Sequence, residues 1–233
     1  MNTLNQPTAD FALEGEQPDA GVTSVGVVSS ALLGSVEMTN EDCMALMRRY
    51  PDKHFDLAIV DPPYRDENQP TKDMRAKGSM KTLEGRPPPE YWTELLRVSR
   101  EQIVWGANNF QLPQWKGFVV WKKQTITEDF TMSMCEVAAL SERLSTVSKW
   151  VELRPQDPQR IHPTQKPVAL YAWLFERYAK PGWKVLDTHL GSGSSAIAAH
   201  YAGLHFTGCE IDPDYFAAAQ ERIARETRQT TLF

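Results

Sequence analysis

Three cysteines among 233 residues, odd in number and without metal-ligand spacing, exclude a disulfide framework and a cysteine-based metal site. Cys43, Cys135 and Cys209 are expected as buried thiols in a reducing compartment. No apolar run approaches the ~20 residues that a membrane-spanning helix needs. Residues 1–20 are polar and acidic, with neither the basic start nor the apolar centre of a secretion signal. A soluble, cytoplasmic protein without membrane association is expected, its first 20 residues failing to order. No repeat recurs at solenoid spacing. Lysine and arginine are absent from residues 1–42, which hold seven acidic groups. All 25 basic residues therefore fall in the remainder, against 23 acidic ones. The net charge of −5 thus does not exclude a polyanionic partner, because local charge governs contacts with phosphates.

What is present suits one large α/β domain, at 41% apolar and 24% charged residues. Short strands are expected at residues 25–28, 36–38, 103–105, 118–121, 134–140 and 147–152. Residues 55–60 form a continuous apolar run, as a strand buried on both faces requires. Helices are expected at 43–49, capped near Asn40 or Asp42, and at 90–99, 168–178 and 213–225. Strands alternating with helices predict a mostly parallel, doubly wound sheet. Most of the seven tryptophans are expected in the core or an interface.

The run at 55–60 ends in Asp61-Pro62-Pro63-Tyr64. A carboxylate, two prolines and an aromatic ring at that point suit the capture of an exocyclic amine on a flat base. Such a nitrogen is a poor nucleophile, its lone pair being delocalised into the ring. Asp61 can accept one N–H and the Pro62 carbonyl the other, favouring a tetrahedral nitrogen and stabilising the positive charge that grows during attack. Tyr64 offers a stacking face, and Pro62 and Pro63 stiffen the path of the chain. A strand that simply ends in a proline turn is the plain alternative.

Far downstream, Lys184-Val185-Leu186-Asp187-Thr188-His189-Leu190-Gly191-Ser192-Gly193 leads into a helical stretch. Strand, glycine loop and helix form the layout of a nucleoside-binding turn, although a tight strand–helix turn alone has the same look. A second strand at 205–211 ends near Glu210, about twenty residues after the glycines, where a carboxylate can accept both ribose hydroxyls or simply face solvent.

Together with His162-Pro163-Thr164-Gln165-Lys166-Pro167, these motifs resemble the beta group of DNA amino-methyltransferases, whose catalytic half precedes the cofactor half. The resemblance covers roughly residues 36–225. It implies S-adenosylmethionine as methyl donor, DNA as substrate, and a Rossmann-like, doubly wound, mostly parallel seven-stranded sheet with one reversed edge strand. The aspartate of the tetrapeptide is similar to the adenine-N6 enzymes; the cytosine-N4 relatives usually begin with serine. The resemblance places Asp61, Pro62, Pro63 and Tyr64 at the target base. Asp187, Thr188, His189, Gly191, Ser192 and Gly193 fall beside the methionine part of the cofactor, Glu210 and Ile211 at its ribose, and Asp42 near its adenine. Thr164 and Lys166 start the helix at its amino-acid end. Where the family usually has Pro-Phe, this chain has Thr188-His189; His189 either packs on the cofactor, bonds a carboxylate or is structural. A cytosine-C5 enzyme is excluded, since no cysteine here follows a proline as that nucleophile does. Glutamine-N5 enzymes resemble Asn-Pro-Pro-Tyr and carry it after the glycine motif.

The implied organisation is a methyltransferase domain over 21–226. Its catalytic half spans 36–140 and its cofactor half 161–226, with a short target-recognition segment at 141–160 plus the loop 65–88. Arg65, Lys72, Arg75, Lys77 and Arg86 in that loop are candidates for the DNA backbone, or for a solvated face. Asn108 and Asn109 could reach a flipped base, but turn formation suits them better. A homodimer and a restriction–modification role follow from the resemblance alone. In the flexible tail 227–233, Gln229, Leu232 and Phe233 resemble the pentapeptide by which bacterial proteins dock on the replication sliding clamp. Cytosine-N4 methylation, or a DNA- or clamp-binding protein with a degenerate cofactor pocket, remain the alternatives.

Overall fold

Apolar runs of four to seven residues make strands that bury both faces, and amphipathic helices cover them. In the computed structural model, residues 26–30, 33–65, 69–72, 80–83, 85–155 and 160–228 are described. β1 (Gly26–Ser30) and β2 (Leu33–Asn40) lead to α1 (Cys43–Arg48) and β3 (Phe55–Val60). A two-stranded antiparallel ribbon follows, β4 (Gln69–Lys72) and β5 (Met80–Leu83). Next come α2 (Glu90–Val98), β6 (Ser99–Trp105), β7 (Gly117–Lys123), β8 (Cys135–Leu140) and β9 (Lys149–Leu153). The chain closes with α3 (Val168–Tyr178), β10 (Lys184–Asp187), α4 (Ser194–Tyr201), β11 (His205–Glu210) and α5 (Pro213–Thr227).

The main sheet runs β1-β2-β11-β10-β3-β6-β8-β7-β9. Pairing is parallel from β2 through β11, β10 and β3 to β6, and again between β7 and β9. The mostly parallel α/β sheet agrees with the expectation. It has nine strands rather than seven, because β1 and β9 extend the two edges. The reversed strands are β1, at one edge, and β8, which lies inside the sheet between β6 and β7. The loop expected over 65–88 carries the β4–β5 ribbon; its polar sequence has no apolar alternation to announce strands. Residue 99 opens β6 instead of closing α2.

Period-two alternation sends side chains to two separate cores. Leu57, Ile59, Ile103, Trp105, Val185 and Phe206 pack beneath α3, α4 and α5. Ala58, Val60, Val104, Leu186 and Cys209 pack beneath α1 and α2. In α2 the core residues Tyr91, Leu95 and Val98 share one face. α4 is buried from Ser194 to His200 because it lies between the sheet and both α3 and α5. Asp212 caps α5, accepting from the backbone N–H of Asp214 at 2.9 Å and Tyr215 at 3.0 Å, with Pro213 in the first turn. Six of the seven tryptophans lie in these cores or against them; Trp150 is exposed.

One feature of this order positions the site. β10 and β11 insert between β2 and β3, and β10 pairs directly with β3 (Val185 with Leu57, Leu186 with Ala58). The strand ends carrying Asp61 and Asp187 are therefore neighbours despite their separation in sequence. Both lie at the carboxyl ends of parallel strands, where open α/β sheets bind ligands.

Candidate active site

A single cavity of about 950 Å³ opens along that rim. Asp61, Pro62, Tyr64, Trp121, Glu136 and Lys166 line one end; Asp42, His162, Gly191, Glu210, Ile211 and Asp212 are among the residues of its wall as well. The tetrapeptide and the glycine turn thus share one crevice.

Asp61 leaves β3 with both carboxylate oxygens engaged. Oδ1 accepts from the Tyr64 hydroxyl, and Oδ2 is paired with the Lys166 ammonium. Burial and the neighbouring Asp61 charge raise the Tyr64 phenol far above its ordinary pKa, so it remains a donor. The Tyr64 ring lies against Gly106, and a Cβ added there would come within 2.1 Å of the ring. Phe110 meets the same ring edge-on at 6.0 Å. Arg86 donates to the Tyr64 carbonyl at 2.9 Å, and its guanidinium lies 5.7 Å from the Phe110 ring centre. Arg86 therefore straps the turn that follows β3.

Lys166 is 4% exposed. Burial alone would lower its pKa, but Asp61 and Glu136 outweigh burial and raise it, so the ammonium is kept. Its Nζ lies 3.1 Å from Glu136 Oε2 and 5.3 Å from the Trp105 ring centre. Glu136 also pairs with Lys123 at 2.7 Å. Burial opposes ionisation of Glu136; Lys166 and Lys123 overcome it and lower its pKa. Lys166 departs from the expectation. It does not begin α3, which starts at Val168 behind the cap residue Pro167, and its amine is held by Asp61 and Glu136. Thr164 lines the cavity, its hydroxyl 3.1 Å from His162 Nδ1.

The glycine turn is ordered from beneath. Asp187 accepts from the His189 N–H at 3.0 Å and from the Ser195 hydroxyl at 2.6 Å. It is buried under the turn and does not line the cavity, and burial pushes its pKa up to about 6. Gly193 also lies off the cavity wall. Its φ is +76°, and a Cβ there would meet Ile223 Cδ1 at 2.6 Å, so this glycine serves the packing of α4 on α5. Gly191 is the residue of the pair on the wall, with φ +53°. Its N–H donates to Glu210 Oε2 at 2.8 Å, while Asp212 N–H donates to Oε1 at 3.0 Å. Burial outweighs these two bonds and pushes the Glu210 carboxyl up to about 7. Asp42 lines the wall and caps α1 through the N–H groups of Met44 and Ala45.

Thr188 and His189 are integrated into the site. Thr188 Oγ1 lies 2.6 Å from the Tyr91 hydroxyl and 2.9 Å from His189 Nδ1. The His189 ring meets Tyr91 edge-on at 5.5 Å. Burial lowers its pKa to about 4, so the imidazole is neutral near pH 7. Ser192 is buried, its carbonyl accepting from Arg222 at 3.0 Å.

Of the candidate DNA contacts, Arg65 and Arg86 line the cavity and Lys72 lies on β4. Arg75 and Lys77 fall outside the described residues, as do residues 1–20 and the tail residues Gln229, Leu232 and Phe233. Asn109 closes a turn, its side chain donating to the Gly106 carbonyl at 3.0 Å. Among the described residues, no group of three or more His, Cys, Asp or Glu side chains could hold a metal ion. Nor is any helix there long and apolar enough to cross a membrane.

Glu136 and Lys123 were not evident as site residues from motifs. A signal was present nevertheless. Glu136 shares a strand face with Ala138 and Leu140, and Lys123 shares one with Val119 and Trp121, all four of these neighbours being core residues. A charge continuing a core-facing alternation is costly unless paired.

The fold is that of Rossmann-like methyltransferases. The S-adenosylmethionine complex of M1.HpyAVI matches with a TM-score of 0.55 at 19% identity, covering 80% of this chain and 99% of that one. The cytosine-N4-specific PvuII DNA methyltransferase matches with a TM-score of 0.55 at 14% identity, covering 83% and 92%. A family model for DNA methylases, spanning N6 and N4 methyltransferases, matches residues 53–221, and the chain belongs to that family. The Escherichia coli K12 protein YubD, named there as a candidate methylase, is 29% identical over 206 residues, 80% of this chain and 89% of its own. The type II methyltransferase M2.MboI of Moraxella bovis is 24% identical over 136 residues, 58% of this chain and 45% of its own.

Proposed function

We propose that the protein transfers a methyl group from S-adenosylmethionine to the N6 amine of adenine in DNA. The observation carrying this reading is the meeting of Asp61 and the Gly191–Glu210 turn on one cavity. The cofactor suits the residues present. Asp42, Glu210 and Asp212 put carboxylate acceptors on the wall, as the hydroxyls of a ribose require, and Gly191 lets the backbone approach a ligand closely. Glu210 and Ile211 would hold the ribose, Asp42 the region of the adenine, and Thr188, His189, Gly191 and Ser192 the methionine part. Asp187 and Gly193 would act by holding that turn in shape.

S-adenosylmethionine bound there would supply an electrophilic sulfonium methyl for N6 and, as leaving group, a neutral thioether that keeps the electron pair of the C–S bond. Asp61 accepts one N6–H and the Pro62 carbonyl the other, directing the lone pair outward and stabilising the positive charge on nitrogen. Tyr64 stacks on the flipped base. The proton that N6 sheds passes to water; Lys166 is unsuited to receive it, since two carboxylates keep it protonated. Incubating the protein with DNA and labelled cofactor, then digesting the DNA for mass spectrometry, tests the reading. N6-methyladenine is expected; N4-methylcytosine would transfer the assignment to the other branch of the family, and no methylated base would end it.

The Glu210 carboxyl gives this reading a pH signature. A carboxyl pushed from its usual 4.5 to about 7 holds its proton more tightly in the folded protein. Its contribution to stability is present at low pH and is lost as pH rises through about 7. The ionised form is the better acceptor for ribose hydroxyls. Affinity for S-adenosylmethionine is therefore expected to rise as pH increases from 6 to 8 (a window set about that value), and Glu210→Gln should flatten the dependence. Calorimetric titration across that window checks it; the same slope in both proteins would remove Glu210 from the ribose.

A further inference from the structure

We infer that Lys166 is a positioning residue for methyl transfer, holding Asp61 in its reactive place, and that Glu136 in turn holds Lys166. This rests on the proposed function and assigns the lysine to the catalytic carboxylate instead of to the cofactor.

The geometry is a chain of alternating charges. Lys123 pairs with Glu136, Glu136 with Lys166, and Lys166 with Asp61. It rests on two indole rings, with Lys123 5.5 Å from the Trp121 ring centre and Lys166 5.3 Å from that of Trp105. The two indoles are edge-on at 6.3 Å, and both are core residues. Neither ammonium can therefore swing away without giving up an ion pair that is at least partly buried. Four chain segments meet here: β7 brings Lys123, β8 brings Glu136, the turn after β3 brings Asp61, and the segment before α3 brings Lys166.

The arrangement divides the two oxygens of Asp61. Lys166 takes Oδ2, so the carboxylate cannot rotate freely about its own bond, and Oδ1 faces Tyr64. An oxygen has two lone pairs. Oδ1 can therefore accept from Tyr64 and from an incoming amine, whereas Oδ2 is committed to the lysine. A carboxylate must be ionised and fixed to accept the N–H of a weak nucleophile. A permanent cation on its far oxygen fixes it, and a second carboxylate behind the cation keeps the lysine from being an uncompensated buried charge. Lys166 would touch neither the methyl group nor the amine.

The test uses the full-length protein with three substitutions, Lys166→Met, Lys166→Arg and Glu136→Gln. Cofactor affinity is measured by calorimetry, and methyl transfer by single-turnover kinetics at saturating DNA and cofactor. For Lys166→Met the transfer rate is expected to fall by about 10²-fold, the scale of losing one preorganised electrostatic group, with cofactor affinity within about twofold of wild type. Lys166→Arg should recover part of the rate, because the charge returns. Glu136→Gln, nearly isosteric, should slow transfer by about tenfold and keeps the inference testable if Lys166→Met unfolds. Wild-type transfer rates in both Lys166→Met and Glu136→Gln would overturn the assignment. So would a large loss of cofactor affinity at an unchanged saturated rate, which would return Lys166 to the cofactor. An inactive wild-type protein would instead overturn the proposed function, and this inference with it.

Discussion

Asp61→Ala is expected to lower single-turnover methyl transfer by about 10³-fold while cofactor affinity stays within about twofold of wild type. The size follows from what the carboxylate does. The exocyclic nitrogen becomes positive as it attacks, and Asp61 is the anion at the end of β3 that can meet one of its hydrogens. The selectivity follows from the layout, since the cofactor end of the cavity is built by the β10 and β11 turns and Asp61 gives that end no hydrogen bond. The substitution also removes one of the two carboxylates paired with Lys166. Glu136 remains at 3.1 Å, so the lysine keeps a partner and the fold is expected to survive. Asp61→Asn separates charge from shape: it fills the same space, retains an acceptor and loses the anion. A rate close to that of Asp61→Ala is expected for it, with melting closer to wild type. If either variant transfers methyl groups at the wild-type rate, the acceptor lies elsewhere and the reading of the tetrapeptide fails.

Much of the scaffold was legible because its signals are local. The apolar run that became β3 and the helix α3 fell where periodicity placed them, and the carboxyl ends of strands identified the rim. The ribbon β4–β5 was not legible, since the sequences of Gln69–Lys72 and Met80–Leu83 carry no apolar alternation. The extra strands at the two edges were placed approximately as strands but not as members of the sheet, because pairing partners are not written in a strand's own residues. The site divides in the same way. Asp61 and Gly191 follow from motifs that sit next to a strand. Lys166 is a motif residue, but its pairing with Asp61 and Glu136 is not legible, because the end of β3 and the inward face of β8 that supply those partners are remote from it in sequence. Asp187 and Gly193 belong to the glycine motif yet act behind the wall, one by tying the turn to Ser195 and the other by admitting Ile223. Spacing identifies such residues but does not tell a ligand contact from a brace.

Gly106→Ala is expected to lower transfer by about 10²-fold without weakening cofactor binding, through two effects that act together. First, the residue has φ +65°, a left-handed conformation that costs an alanine about 1 kcal/mol or more. Second, the new methyl would lie 2.1 Å from Tyr64 Cε1, far inside contact distance, so the ring or the turn must move. The ring has little room to yield. Phe110 flanks it, Arg86 holds its carbonyl, and its hydroxyl is bonded to Asp61. A displaced Tyr64 loses its place as the stacking face and disturbs Asp61 Oδ1 as well, and a shift of about 1 Å near the reacting atoms is enough to cost two orders of magnitude. A double-mutant cycle shows whether the glycine acts through this ring. In a Tyr64→Ala background there is no ring to displace, so adding Gly106→Ala should cost only the backbone term, near tenfold or less. Equal fractional losses in both backgrounds would mean that Gly106 serves the turn leading to Phe110 and has no part in placing Tyr64. Because the glycine follows β6 and the tyrosine follows β3, two adjacent parallel strands, that result would also detach the stacking face from the register of the sheet that supports it.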